Sequence, residues 1–354
     1  MIALAITLLI ALLVVAHYHA SVRRYRVDVP YAVVERLRTA DDAWIELRRL
    51  PGTDSRGEGT SALPPILCVH GVAIDHRNVD MLESLSIART MRARGRDVWL
   101  LTLRSGIEVA PWLHARRVRF DSMVRHDLPI AIDEVRARTG RPQIDYVGFS
   151  MGGMLLYAAL GTSVALDAIR RVVILGSPGK LVAPSLVVGW LSHAPRWLIP
   201  SLPIRIVSRL IAFAVEWTTT PIHTMVYNPR NVERGVTAGA LLTIRDIAQP
   251  LMADFAAMLA RGGALVFEGN AVLPGLAHVR SPVRFFAGAG DRIAPPDAVR
   301  AAFDAWGASG DVDKSITVLA ESTHGADYGH GDLALGKNLA RDVFAPAAAF
   351  LDAS

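Results

Sequence analysis

Cysteine is almost missing from the 354-residue chain, and Cys68 is the only one. An intrachain disulfide is thereby excluded, and no Cys/His cluster has the spacing of a zinc site. That economy suits a reducing compartment. Long runs of one charge are missing too, as are internal repeats and low-complexity tracts. The formal net charge is +5, and arginine supplies almost all of the excess. No basic patch is interleaved with aromatics and no nucleic-acid motif occurs, so the balance reads as an arginine-rich solvated surface and nucleic acid is not an expected partner. No metal or organic cofactor is implied. Cys68 lies in the apolar run Ile66-Leu67-Cys68-Val69 and is expected to be a buried strand residue.

Charge is also missing from residues 1–22, where Ile2 to Ala16 is almost purely apolar and Arg23, Arg24 and Arg26 follow. As a helix, such a segment spans ~33 Å, enough for a hydrocarbon core of ~30 Å. A cleavable signal would usually open on basic residues, and this one has none, so an uncleaved membrane anchor is expected over residues 1–22, with a signal segment as the alternative. The arginines behind it favour a cytoplasmic catalytic domain, with a periplasmic or secreted one as the alternative.

What the chain has in plenty is apolar surface: 51% of its residues are hydrophobic, ample for a large core. Two strands, Tyr31 to Arg38 and Ala43 to Leu50, flank a polar turn. Strands are expected next at Ile66 to Val69, Val98 to Leu103, Ile144 to Gly148 and Val172 to Leu175. Helical patterns lie between them at Val79 to Arg94, Pro129 to Thr139 (with Asp127 as candidate N-cap) and Met151 to Leu160. The alternation lapses over 181–278, where apolar helical stretches such as Leu186 to Leu191, Ile204 to Val215 and Ala238 to Leu259 replace it. It resumes with the strand Val283 to Ala287, a helix from Asp297 to Trp306, the strand Ile316 to Leu319 and a helical stretch from Leu333 to Leu351. This predicts an α/β fold with a mostly parallel sheet and helices on both faces, built from 31–180 and 279–354. Residues 181–278 would form a mainly helical cap.

Gly148-Phe149-Ser150-Met151-Gly152 matches G-x-S-x-G between an expected strand and an expected helix. In that context the serine occupies a strained turn that exposes its hydroxyl, so Ser150 is the expected nucleophile. Gly148 and Gly152 allow close backbone approach. An oxyanion hole needs two backbone donors. Met151 follows the nucleophile, and Val72 follows the strand that ends at His70-Gly71; both N–H groups are assigned to it, with His70 and Gly71 in support. The acid should follow a late strand. No carboxylate follows Val172 to Leu175 directly, whereas Gly288-Ala289-Gly290-Asp291 ends the next strand, so Asp291 is the expected acid. Two histidines come later, His324 and His330, and spacing does not decide between them. An aspartate nucleophile, as epoxide or haloalkane hydrolysis requires, is excluded at position 150.

Several stretches together resemble the acid lipases, the gastric and lysosomal lipase group of the α/β-hydrolases. They are Leu67-Cys68-Val69-His70-Gly71-Val72; Phe120-Asp121, His126-Asp127-Leu128-Pro129 and Tyr146-Val147-Gly148-Phe149-Ser150; Gly290-Asp291; and Tyr328-Gly329-His330-Gly331-Asp332-Leu333. The resemblance spans roughly 40–180 and 280–350. It implies that His330 rather than His324 is the base, and that Asp332 supports the histidine loop. Phe149 stands where that group usually has His, and Gly331 where it usually has Leu.

The expected activity is hydrolysis of an apolar or lipid-like carboxylic ester through an acyl-enzyme. Acyl transfer or thioester hydrolysis would use the same triad. A catalytically silent binding scaffold is the remaining alternative, and the complete Ser150, Asp291, His330 set argues against it.

Overall fold

In the computed structural model, which describes residues 2–52, 61, 63–107, 115–182 and 201–353, eight short strands pair into one sheet. In chain order they are β1 (Val33–Arg38), β2 (Trp44–Leu50), β3 (Ile66–Val69), β4 (Val98–Thr102), β5 (Ile144–Phe149), β6 (Ile169–Leu175), β7 (Val283–Gly288) and β8 (Lys314–Leu319). Their spatial order is β1-β2-β4-β3-β5-β6-β7-β8. The first two pairings are antiparallel and every later one is parallel.

The central strands are buried on both faces, as parallel strands under helices must be. Successive side chains still go to different cores. Ile144 and Tyr146 of β5 join a core with Leu128 and Ile132 of helix α3 (Leu128–Thr139) and Met154 and Leu155 of α4 (Met151–Ala159). Val147 and Phe149 join the opposite core with Met91 of α2 (Ile87–Ala93) and Leu351 of α10 (Ala345–Asp352). Helix α9 (Pro296–Ala305) fills the gap between β7 and β8. Cys68 is fully buried in β3.

Between β6 and β7 the described residues carry four helices: α5 (Ile204–Trp217), α6 (Pro221–Val226), α7 (Arg234–Thr243) and α8 (Gln249–Ala260). The helical stretch expected at Leu186 to Leu191 lies outside the described residues. The first helix of the chain, α1 (Ile2–Tyr25), leaves residues 2–17 exposed and buries Ser21 and Tyr25. Tyr25 packs with Ala212 and Val215 of α5 and Leu241 and Leu242 of α7 in a third, separate core.

Three expectations are corrected. Val79 to Arg94 is not one helix, because the buried Asp80 carboxylate collects Ser86 Oγ (2.6 Å), Arg89 Nε (2.8 Å) and the Tyr31 hydroxyl (2.9 Å). These bonds hold the chain in turns until Ser86 caps α2 by accepting the Arg89 N–H. Ala238 to Leu259 breaks into α7 and α8, since Arg245 turns away to donate its N–H to the Ala73 carbonyl at 2.8 Å. Its guanidinium also pairs with Asp75 at 2.8 Å. Asp127 is not an N-cap. It has helical backbone in a π-turn preceding α3, and its buried carboxylate accepts the Arg104 backbone N–H (3.0 Å) and Nε (2.8 Å).

Candidate active site

The site begins at the turn from β5 into α4. Ser150 has φ +51° and ψ −118°, a conformation costly for a residue with a Cβ. The turn is held by the Ser150 N–H, which donates to the Leu175 carbonyl of β6 at 2.9 Å. It is possible only with small neighbours. A Cβ on Gly152 would lie 2.4 Å from the Val69 carbonyl oxygen, and one on Gly148 would lie 2.8 Å from the Gly153 nitrogen.

The two loops at the ends of β7 and β8 supply the other polar groups. His330 brings Nε2 to 2.9 Å from Ser150 Oγ and Nδ1 to 2.7 Å from Asp291 Oδ2. Since a carboxylate only accepts, Nδ1 carries the proton and the serine hydroxyl donates to Nε2. The second Asp291 oxygen accepts the backbone N–H groups of Ile293 and Ala294, each at 2.8 Å, which fixes the carboxylate plane. All three side chains are buried. His324 is elsewhere: it ends the short helix Glu321–His324, and its Nδ1 is 2.7 Å from Thr323 Oγ1.

Val72, Ser150 and Met151 line one cavity. Met151 is the first residue of α4, so its N–H has no partner within the helix. The adjoining loop is pinned by His70, whose Nδ1 donates to the Gly71 carbonyl at 2.7 Å while Nε2 accepts the Leu103 N–H at 3.1 Å. Burial holds this imidazole neutral and lowers its pKa to about 4. Gly71 is required here, because a Cβ would come within 2.9 Å of Ser150 Cβ.

The Asp332 carboxylate is hydrogen-bonded by groups other than the His330 ring. Its Oδ1 accepts the Asn228 backbone N–H at 2.9 Å and its Oδ2 accepts the Asn231 side-chain amide at 3.0 Å. Burial raises its pKa to about 6, against the opposing pull of these donors. The histidine loop is thus tied to the segment between α6 and α7. Tyr227 of that segment explains Gly331, where a Cβ would fall 2.1 Å from the Tyr227 ring. Phe149 lies against the histidine, with ring centroids 5.1 Å apart.

Two cavities meet at Ser150. One, of about 220 Å³, runs between Met154, Met252, Phe255 and Leu259. The other, of about 340 Å³, runs between Ile204, Ile211, Leu241 and His330. Val72, Met225, Ile247 and Ile293 line both. Sequence reasoning missed Asn228, Asn231, Arg245 and, among the residues shared by the two cavities, Met225 and Ile247. They are scattered through the segment with no motif, and only the three-dimensional path of the chain collects them.

No protein-family model matches the chain. It is 29% identical over 140 residues to human gastric triacylglycerol lipase, covering 36% of this chain and 34% of that one. It is 26% identical over 133 residues to human lysosomal acid lipase/cholesteryl ester hydrolase, covering 34% and 32%. The chain thus spans about a third of the length of these relatives. Among solved structures it is similar to a thermophilic esterase from Thermogutta terrifontis, with a TM-score of 0.56 and 17% identity over 90% of this chain and 98% of that one. By architecture the chain has the α/β-hydrolase fold, and over about a third of its length it is similar to the acid lipases.

Proposed function

We propose that the protein is a carboxylic-ester hydrolase with Ser150 as nucleophile, His330 as general base and Asp291 as its orienting acid. The observation that carries this reading is the continuous hydrogen-bonded chain from Ser150 Oγ through His330 to Asp291, at 2.9 Å and 2.7 Å, opening onto two apolar cavities. Sequence kinship with lipases supports it. Oγ attacks the ester carbonyl while its proton passes to His330 Nε2. The oxyanion takes hydrogen bonds from the N–H groups of Val72 and Met151. His330 returns the proton to the leaving alcohol, and water repeats the sequence on the acyl-enzyme. Asp291 holds the imidazole tautomer and stabilises its protonated form.

The described residues of the segment 181–278 act as a cap over this site. The two lobes give the ester an apolar environment on both its acyl and its alcohol side. The apolar helix α1 anchors the protein in a membrane, and Arg23, Arg24 and Arg26 behind it set the catalytic domain on the cytoplasmic side. The test is a series of p-nitrophenyl esters from acetate to palmitate, with Ser150→Ala as the blank. Each buried CH₂ adds ~0.8 kcal/mol of binding, so kcat/KM should climb with acyl length until the lobe is full. Undiminished turnover by Ser150→Ala sinks the nucleophile assignment, and a flat profile sinks the apolar acyl site.

A further inference from the structure

Helix α5 connects the apolar amino-terminal helix to the catalytic cavity. The two helices run side by side in the same direction. His17 Nε2 is 2.9 Å from the Leu210 carbonyl, Arg209 donates to the Tyr18 hydroxyl at 2.6 Å, and eight residues after His17 the Tyr25 hydroxyl donates to Glu216 at 2.6 Å. At equal rise per residue, Ile206 and Val207 stand level with Leu13 and Val14, inside the apolar run that ends at Ala16. The Tyr18–Arg209 pair marks where polar groups begin, a combination suited to lipid headgroups. Within α5 the cation nearer the apolar end, Arg205, is answered by Asp246 at 3.6 Å.

On this side of α5 the apolar surface is bare: Ile206 is 48% and Val207 49% exposed. Val207 also lines the larger lobe, as do Ile204 and Ile211 on neighbouring turns. One residue is therefore both outer surface and cavity wall, which sets a mouth of the lobe on this face.

We propose that the amino-terminal face of α5 rests in the same lipid leaflet as α1, and that the larger lobe opens there, so that an apolar ester reaches Ser150 from the bilayer rather than from water. The occupant of the face is acyl chain. The surface continues the apolar band of α1, with Arg205 paired to Asp246, and on the anchor reading above α1 carries its packed neighbour into the bilayer with it. The route rests on the hydrolase reading above, whereas the seating of α5 does not.

Two measurements on the full chain in phosphatidylcholine vesicles separate these. In the first, Ile206→Cys carries an environment-sensitive NBD label, with Asp133→Cys as the control on exposed α3. Cys68 does not compete, because burial pushes its thiol pKa far up. Doxyl-labelled phosphatidylcholine should quench the label at 206 and leave the one at 133 unchanged. Equal quenching at both sites, or a 206 signal that responds to protein dilution and not to doxyl lipid, overturns the seating; the latter would show a second copy covering the face. In the second, Ile206→Asp should hydrolyse a long-chain ester embedded in the vesicles about tenfold more slowly or worse, the size expected for losing one buried Ile. Its turnover of p-nitrophenyl acetate from water should match the parent. Unchanged vesicle turnover, or an equal loss on both substrates, overturns the lipid-side route. A parent that turns over neither ester refutes the hydrolase reading instead, and the quenching result still decides the seating.

Discussion

Asn228 and Asp332 lie 104 residues apart and are joined by one hydrogen bond of 2.9 Å, from the Asn228 backbone N–H to Asp332 Oδ1. The bond ties the loop that carries His330 to the segment between α6 and α7. With the Asn231 amide on the other oxygen, Asp332 is a bracket for the loop that carries His330. Asp332→Ala should strand the buried Asn231 amide and the half-buried Asn228 N–H and cost about 1–3 kcal/mol of stability. Its kcat should fall as His330 loses its setting, while Asp332→Asn, which retains one acceptor oxygen, should lose less of both. Denaturant titration and steady-state kinetics on both variants check this; a fully active, fully stable Asp332→Ala removes the bracket.

His330→Ala should lose at least about 10³-fold in kcat, since removing one member of a hydrogen-bonded triad disables the rest. His324→Ala should change kcat little, because its ring faces Thr323 and not Ser150. Side-by-side kinetics on one ester decide, and the reverse ranking would place the base at 324.

Gly71→Ala tests the crowding behind the nucleophile. The added methyl would lie 2.9 Å from Ser150 Cβ and 3.1 Å from the Phe149 ring. Ser150 or the loop must shift, and small displacements at a reacting centre cost about 100-fold in rate. We expect that loss in kcat/KM with far-UV circular dichroism unchanged. Parent-like kinetics would show that the loop absorbs the methyl.

Ala256→Trp tests the smaller lobe, which Ala256 lines. A bulky side chain there shortens the space for acyl chain, so the preferred p-nitrophenyl ester should become shorter while acetate turnover stays near the parent. An unchanged optimum would place the acyl chain in the larger lobe.

Acid stability follows from His70. Its pKa is depressed to about 4 in the fold, against an ordinary histidine value near 6.5. Below pH 6.5 the unfolded chain takes up a proton that the folded chain refuses, so stability present above 6.5 is lost as pH falls towards 4. His76, lowered to about 3 by burial, acts in the same direction over a longer window. Asp332 acts oppositely, because a carboxyl raised to about 6 favours the fold most at low pH. His70→Asn should therefore flatten the decline between pH 6.5 and 4 relative to the parent. Melting temperatures across that range measure it, and parallel curves would mean that His70 titrates normally.

The sequence determined the alternation that makes a parallel sheet, because a central strand buried on both faces must be a short apolar run. The strands from β3 to β8 were legible by their apolar runs, and β1 and β2 as a pair flanking a polar turn. So was the elbow at Ser150, since the small residues it demands at 148 and 152 are written into the motif. Local helix boundaries were less legible: Asp80 and Asp127 bind groups beyond the reach of one helical turn, and such bonds override propensity. Between the two histidines, spacing was silent and family resemblance favoured His330; the fold brings its Nε2 to 2.9 Å from Ser150 Oγ. Tertiary structure alone decided how Asn228 meets Asp332, how Arg245 breaks a helix to pair with Asp75, and how α5 stands between α1 and the cavity. Those contacts join residues about 100 to 200 positions apart, and nothing periodic or local marks them, because what selects them is shape and charge met across space.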